Sequence, residues 1–129
     1  MGLITGPLSR RARRRYAGME VVREEIAVSL GVESAGPWQV RGNGNLALTE
    51  NELLFVQWLP NRMLQIPCKT ITEVGTTRSH LGKTMGTPLL KVSWTNEVSE
   101  PDSIACWVKD VDGWVDALGG SRTSDAAPA

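Results

Sequence analysis

"GNGNLALTENELLFVQWLPNRMLQIP", residues 42–67, decides the fold. Leu46 and Leu48 alternate with other residues, the two-residue period of a half-buried strand. Glu50-Asn51 follows as a turn. The apolar run from Leu53 to Leu59 is too short for a comfortable helix and carries Phe55, Val56 and Trp58, which favour a pleated surface. Pro60-Asn61 places proline where a type I turn takes it. Met63 to Ile66 then returns as a partner strand, stopped by Pro67. Just upstream, Asn43-Gly44 reads as a tight turn, because both central residues of a type I′ turn need positive φ.

The meander continues in both directions. Ile71 and Val74 anchor a further strand. Leu90, Val92 and Trp94 alternate, Glu100-Pro101-Asp102 reads as a turn, and Ile104, Cys106 and Val108 alternate again. Asp110 is placed to cap a final helix with Val111, Trp114, Val115 and Leu118 on one stripe, ended by Gly119-Gly120. Upstream, Trp38 and Val40 alternate briefly. Ile26, Val28, Leu30 and Val32 alternate with Ala27, Ser29 and Gly31, which predicts the larger four on the buried face. Leu8, Ala12, Tyr16, Met19 and Val22 recur at three and four, which predicts a helix over 8–24 capped by Ser9. The expected division is a basic helical arm over 1–24, one β domain over 25–118, and a small polar, disordered tail over 119–129.

The totals fit one domain. Its 129 residues carry 14 basic and 14 acidic side chains, so a simple polyanion-coating role is excluded. The charge is uneven: six of the first 25 residues are arginines against three glutamates. No apolar stretch approaches the roughly 18 residues of a membrane span, and the opening lacks the charge and cleavage pattern of a signal peptide. Cys68 and Cys106 lie in or beside apolar runs, as free thiols of a reducing compartment do. The expected location is cytoplasmic, peripheral at the inner membrane surface if the chain meets lipid.

Gly44-Asn45-Leu46-Ala47-Leu48-Thr49 with Leu53 and Phe55 resembles the G-x-L-x-L-T-x-x-x-L-x-F stretch of pleckstrin-homology-like and GRAM-like domains. Ile66-Pro67 with Ile71 and Val74 is similar to the I-P-x-x-x-I-x-x-V that follows there, and Trp114 stands in the terminal helix where such domains place a tryptophan. The resemblance covers residues 25 to 118 and extends to bacterial proteins of this type. It implies about seven antiparallel strands in a partly open barrel capped by a C-terminal helix. It implies no activity, because such domains bind phosphoinositides, peptides or partner proteins.

The chemistry-bearing residues form two groups. Arg78-Ser79-His80-Leu81-Gly82-Lys83-Thr84 ends like a nucleotide-binding P-loop, but six residues separate Gly75 from Gly82 where the motif has four. Gly86 and Pro88 also interrupt the first turn of the helix the motif requires. What remains is a loop with Arg78, His80 and Lys83 as charges, Ser79 and Thr84 as hydroxyls, and glycines that let backbone N–H groups approach an anion. Arg41 stands nearest this chemistry on the early hairpin. The bland alternative is a solvated loop. The second group is Arg10, Arg11, Arg13, Arg14 and Arg15, suited to an anionic bilayer or an acidic partner, or simply a solvated helix face. Trp107 falls out of phase with Ile104, Cys106 and Val108. That predicts an outward tryptophan covering the N-terminal helix, or meeting a second subunit.

His80 is the single histidine, and neither cysteine has a Cys or His at metal spacing, so no metal, cofactor or histidine-based catalysis is expected. The expected function is a non-catalytic binding module that takes an anionic ligand or membrane headgroup through the 78–84 loop. The alternative is a protein-interaction or homo-oligomerising module using the N-terminal helix and tryptophan. Nucleic acid is not an expected partner.

Overall fold

Residues 42–67 lie in three consecutive antiparallel strands: β2 (Gly42–Thr49), β3 (Glu52–Gln57) and β4 (Arg62–Pro67). A computed structural model describes residues 7–35, 42–59 and 62–119. The expected Trp38–Val40 strand, the Pro60-Asn61 turn, Arg41, Gly120 and the tail beyond it lie outside the described residues. The other strands are β1 (Val21–Val32), β5 (Ile71–Thr77), β6 (Leu89–Thr95) and β7 (Pro101–Trp107). Helix α1 (Pro7–Arg14) precedes them and α2 (Val111–Ala117) follows. All seven strands join one antiparallel sheet in the order β4-β3-β2-β1-β7-β6-β5, with β4 and β5 at its two edges and not paired to each other.

One face of this sheet encloses the main core. Leu46, Phe55, Ile66, Val74, Val92 and Ile104 all join a single cluster, though they come from strands at opposite edges. One face can bring both edges together only if the sheet curls. Trp114 and Leu118 of the C-terminal segment enter the same cluster, and Trp114 is fully buried. As expected, Asp110 caps α2, its Oδ1 accepting from the Gly113 N–H at 3.1 Å. Two β1 side chains fasten the helix. Glu25 accepts from Trp114 Nε1 at 2.7 Å and from the Lys109 N–H. Arg23 stacks 5.2 Å from the Trp114 ring centre and pairs with Asp110 at 2.6 Å.

The opposite face carries two smaller clusters. Ala47, Leu54 and Val56 lie beneath Ala12 and Tyr16, with Trp58 and Met63 at the margin. Leu30, Leu89 and Ala105 lie beside Met85 and Trp107. Trp107 therefore packs between strands and the 78–88 loop rather than on the N-terminal helix, which finds Trp58 instead.

Five further expectations are corrected. The N-terminal helix stops at Arg14, the chain turns over residues 15–18, and Val21 to Glu24 join β1, because backbone pairing with β2 extends to Val21↔Thr49. Ser9 is not the cap; it sits on the buried face, and Pro7 occupies the first turn, where its missing N–H costs nothing. Within β1, Ala27 rather than Ile26 or Val28 faces the main core, and Ile26 and Val28 are half-buried. Ala27 joins the cluster that holds Trp114, and a register shift between Ser29 and Val32 brings Val32 back to the core side. Finally, Asn43-Gly44 is strand, paired with Val28 and Ala27. Glycine is needed there for a different reason: a Cβ would lie 2.4 Å from the Val56 carbonyl oxygen. The turn placed at Glu100–Asp102 falls instead at Asn96–Ser99, where the Asn96 Oδ1 accepts from Val98 and Glu100 N–H groups at 3.0 Å. Pro101 is the first residue of β7, a place where its missing donor is tolerated.

Candidate functional site

Helix α1 has a narrow apolar side and a broad charged one. Ser9, Ala12 and Tyr16 are buried against β2 and β3, while Arg10, Arg11, Arg13, Arg14 and Arg15 are exposed. Basic residues in the last turn also suit the negative end of the helix dipole. The helix is held by a polar network as much as by apolar burial. Asn45, with no exposed surface, accepts from Ser9 Oγ at 3.2 Å and from Trp58 Nε1 at 2.8 Å, and donates to Tyr16 Oη at 3.3 Å. Tyr16 Oη donates to Glu24 at 2.6 Å, and Arg13 pairs with the same carboxylate at 3.5 Å. Burial, then the Glu24 carboxylate, push the Tyr16 hydroxyl well above its ordinary pKa, so it stays a donor. Arg11 donates to the Trp58 carbonyl at 3.2 Å.

Two adjacent clefts open where α1 meets the start of β1. The first, about 400 Å³, is lined by Arg10, Arg13, Arg14, Tyr16 and Met19, with Glu24 at its side. The second, about 690 Å³, is lined by Glu20, Glu50, Glu52, Cys68 and Lys69 together with Met19. Met19 borders both and is 41% exposed. Sequence reading singled out the arginines but not Met19 or the glutamates. Glu50 and Glu52 flank Asn51 at the β2–β3 turn, Glu20 precedes β1, and only the pairing of β1 with β2 brings Glu20 to the other two. A third groove, about 580 Å³, runs beside Val32, Leu64, Trp94 and Val98, with Glu97 and Asp102 among its polar walls. Asp102 is occupied with both Ser34 donors, at 2.9 and 2.6 Å.

The 78–84 loop is a turn. His80 and Lys83 exchange backbone hydrogen bonds at 2.9 Å, and the two residues between them, Leu81 and Gly82, have φ of 54° and 78°. Positive φ at both central positions is the type I′ pattern. No helix follows Thr84; the next regular element is β6. The His80 ring points inward. It is 6% exposed, and its Nε2 lies 2.9 Å from the Gly31 carbonyl of β1, a contact in which the ring nitrogen donates. Burial lowers its pKa against the pull of that hydrogen bond, with nearby Lys91 and Lys83 acting in the same direction as burial. Arg78, Ser79 and Thr84 are exposed and Lys83 is half-buried. The Ser79 and Gly86 N–H groups bond to Thr77 and Thr84 hydroxyls, at 3.4 and 3.1 Å. Several donors of the loop are thus used within it.

Cys106 is buried in the main core, and burial pushes its thiol up to about 12, which removes it as a nucleophile at neutral pH. Among the described residues no helix is long and apolar enough to cross a membrane.

No protein-family model matches the chain, and no curated protein matches it. Among solved structures it is similar to the crystal structure of the C-terminal domain of an unknown protein from Leishmania infantum. The two share 15% sequence identity at a TM-score of 0.58, over 88% of this chain and 93% of that one. At that identity the likeness concerns the fold alone.

Proposed function

We propose that the chain is a non-catalytic, pleckstrin-homology-like binding module that contacts an anionic, phosphate-bearing surface through the arginine face of α1. Three features support the pleckstrin-homology-like reading: the β4-β3-β2-β1-β7-β6-β5 order, the terminal helix entering the core, and Trp114 as the residue it buries. The anionic reading is carried by one observation. Arg10, Arg13 and Arg14 line one cleft, with Met19 exposed at its rim. Guanidinium groups suit phosphate through paired N–H donors, and each basic residue near an anionic bilayer contributes about 1 kcal/mol. The 78–84 loop is a weaker candidate, because its histidine faces the sheet and several of its N–H groups are already bonded.

Vesicle co-sedimentation tests this. The protein is expected to pellet with phosphatidylserine-containing vesicles and not with neutral ones, less at high salt. Arg10→Ala with Arg14→Ala should abolish pelleting, while Arg78→Ala with Lys83→Ala should leave it. Inorganic phosphate added at millimolar concentration separates a phosphate site from a membrane surface: competition indicates the former. No pelleting and no phosphate competition in any arm would discard the reading, and loss only in the Arg78/Lys83 pair would move it to the loop.

A further inference from the structure

The two clefts that share Met19 have opposite charge. Arg10, Arg13 and Arg14 outnumber Glu24 in one, and Glu20, Glu50 and Glu52 outnumber Lys69 in the other. Their common border is an exposed methionine, an adaptable apolar side chain. A two-fold dimer needs a surface complementary to itself, in which one half of the patch meets the other half on the partner. A basic cleft and an acidic cleft on either side of an apolar centre meet that requirement. If the axis passes at Met19, the arginines of each copy face the glutamates of the other, and the two methionines meet at the centre. The chain carries equal numbers of acidic and basic residues, so no net charge opposes the approach of two copies.

We infer that this surface is the contact between two copies of the chain, paired antiparallel through the same patch on each about a two-fold axis at Met19. The inference does not rest on anion binding. It uses the arginines against carboxylates instead of phosphate, so a copy engaged in the dimer has its basic cleft covered. Charge pairing at such a surface fixes register and partner choice, and screening by salt weakens it.

Sedimentation velocity of the full chain across a concentration series tests the inference at low and high salt. The expected result is a mass rising from monomer to dimer with concentration, with at least tenfold weaker association at high salt. Arg10→Glu with Arg14→Glu makes both halves acidic and should leave a monomer. Glu20→Arg with Glu50→Arg makes both halves basic and should do the same. These four side chains are exposed, so circular dichroism should show both variants folded. An equimolar mixture of the two variants restores opposite charges at both halves, and a heterodimer should form. Met19→Lys should weaken the wild-type dimer.

A monomer at every concentration would overturn the inference. So would a dimer indifferent to the charge reversals, or a mixture that stays monomeric. A monomer that still pellets with anionic vesicles would overturn it while leaving the anionic function standing. A dimer that never pellets would support it and discard that function.

Discussion

Among the described residues the outer face of the sheet has two covers, and they are built differently. Helix α1 lies over β2 and β3 with small residues against the sheet and a buried polar network centred on Asn45. The 78–88 loop lies beside Leu30, Leu89 and Ala105, and its clearest polar tie to β1 is the ring of His80 on the Gly31 carbonyl. The helix turns its basic side chains outward because the network takes up its inner ones. The loop does the reverse with His80, which is drawn into the fold. A charged residue in the sequence therefore says little about a binding surface until its direction is known.

The largest effect expected from breaking this contrast falls on the helix. Asn45→Ala leaves Ser9 Oγ and Trp58 Nε1 without their shared acceptor, while Tyr16 keeps its bond to Glu24, and each orphaned buried group costs about 1–3 kcal/mol. A loss of about 3 kcal/mol should appear in denaturant unfolding, with faster proteolysis near residues 15–18. A loss under about 0.5 kcal/mol would show that apolar contact alone holds α1.

The loop should respond less and more locally. His80→Ala removes a buried ring and leaves the Gly31 carbonyl unpaired, a cost of about 1–2 kcal/mol. Hydrogen exchange should rise over residues 78–86 and stay unchanged over α1. Protonation acts in the same sense. Because the folded pKa of His80 lies below its ordinary 6.5, its contribution is complete above that value and is lost as pH falls through the lowered one. The protection factors of the loop amides, taken against their intrinsic exchange at each pH, should therefore fall below about pH 6.5 in the wild type and much less in His80→Gln. Equal acid sensitivity in both would assign the effect to other groups.

The smallest change sharpens the comparison from the other side. Leu81 holds a positive φ, which costs an L-residue about 1–2 kcal/mol. Leu81→Asn keeps the turn and suits that backbone, so it should stabilise the protein by up to about 1 kcal/mol, read as a rise in Tm. A fall in Tm would mean that the Leu81 side chain contributes packing that outweighs the strain.

Much of the fold was legible in the sequence because strand periodicity is local. Leu90, Val92 and Trp94 alternate in sequence and are all buried, and Asp110 begins α2 as its position suggested. Turn chemistry was less dependable. Asn43-Gly44 carries a tight-turn signature yet lies in a strand, because its glycine answers a close backbone approach from β3 that no local pattern encodes. For the candidate site, the arginines were visible as a cluster. Their neighbours were not: Met19 was assigned to a helix, and Glu20 lies far along the chain from Glu50 and Glu52.

By itself the sequence determined a mainly β chain, the position of most strands, the terminal helix and its cap, and a basic N-terminal helix. These follow from side-chain periods and capping preferences spanning only a few residues. The tertiary structure alone decided which face of β1 looks inward, where α1 ends, what Trp107 touches and which way His80 points. His80 meets Gly31 across 49 residues and Ser9 meets Asn45 across 36. A two-residue period shows that a strand has two faces; only packing against Trp114 and α1 selects which one becomes the core.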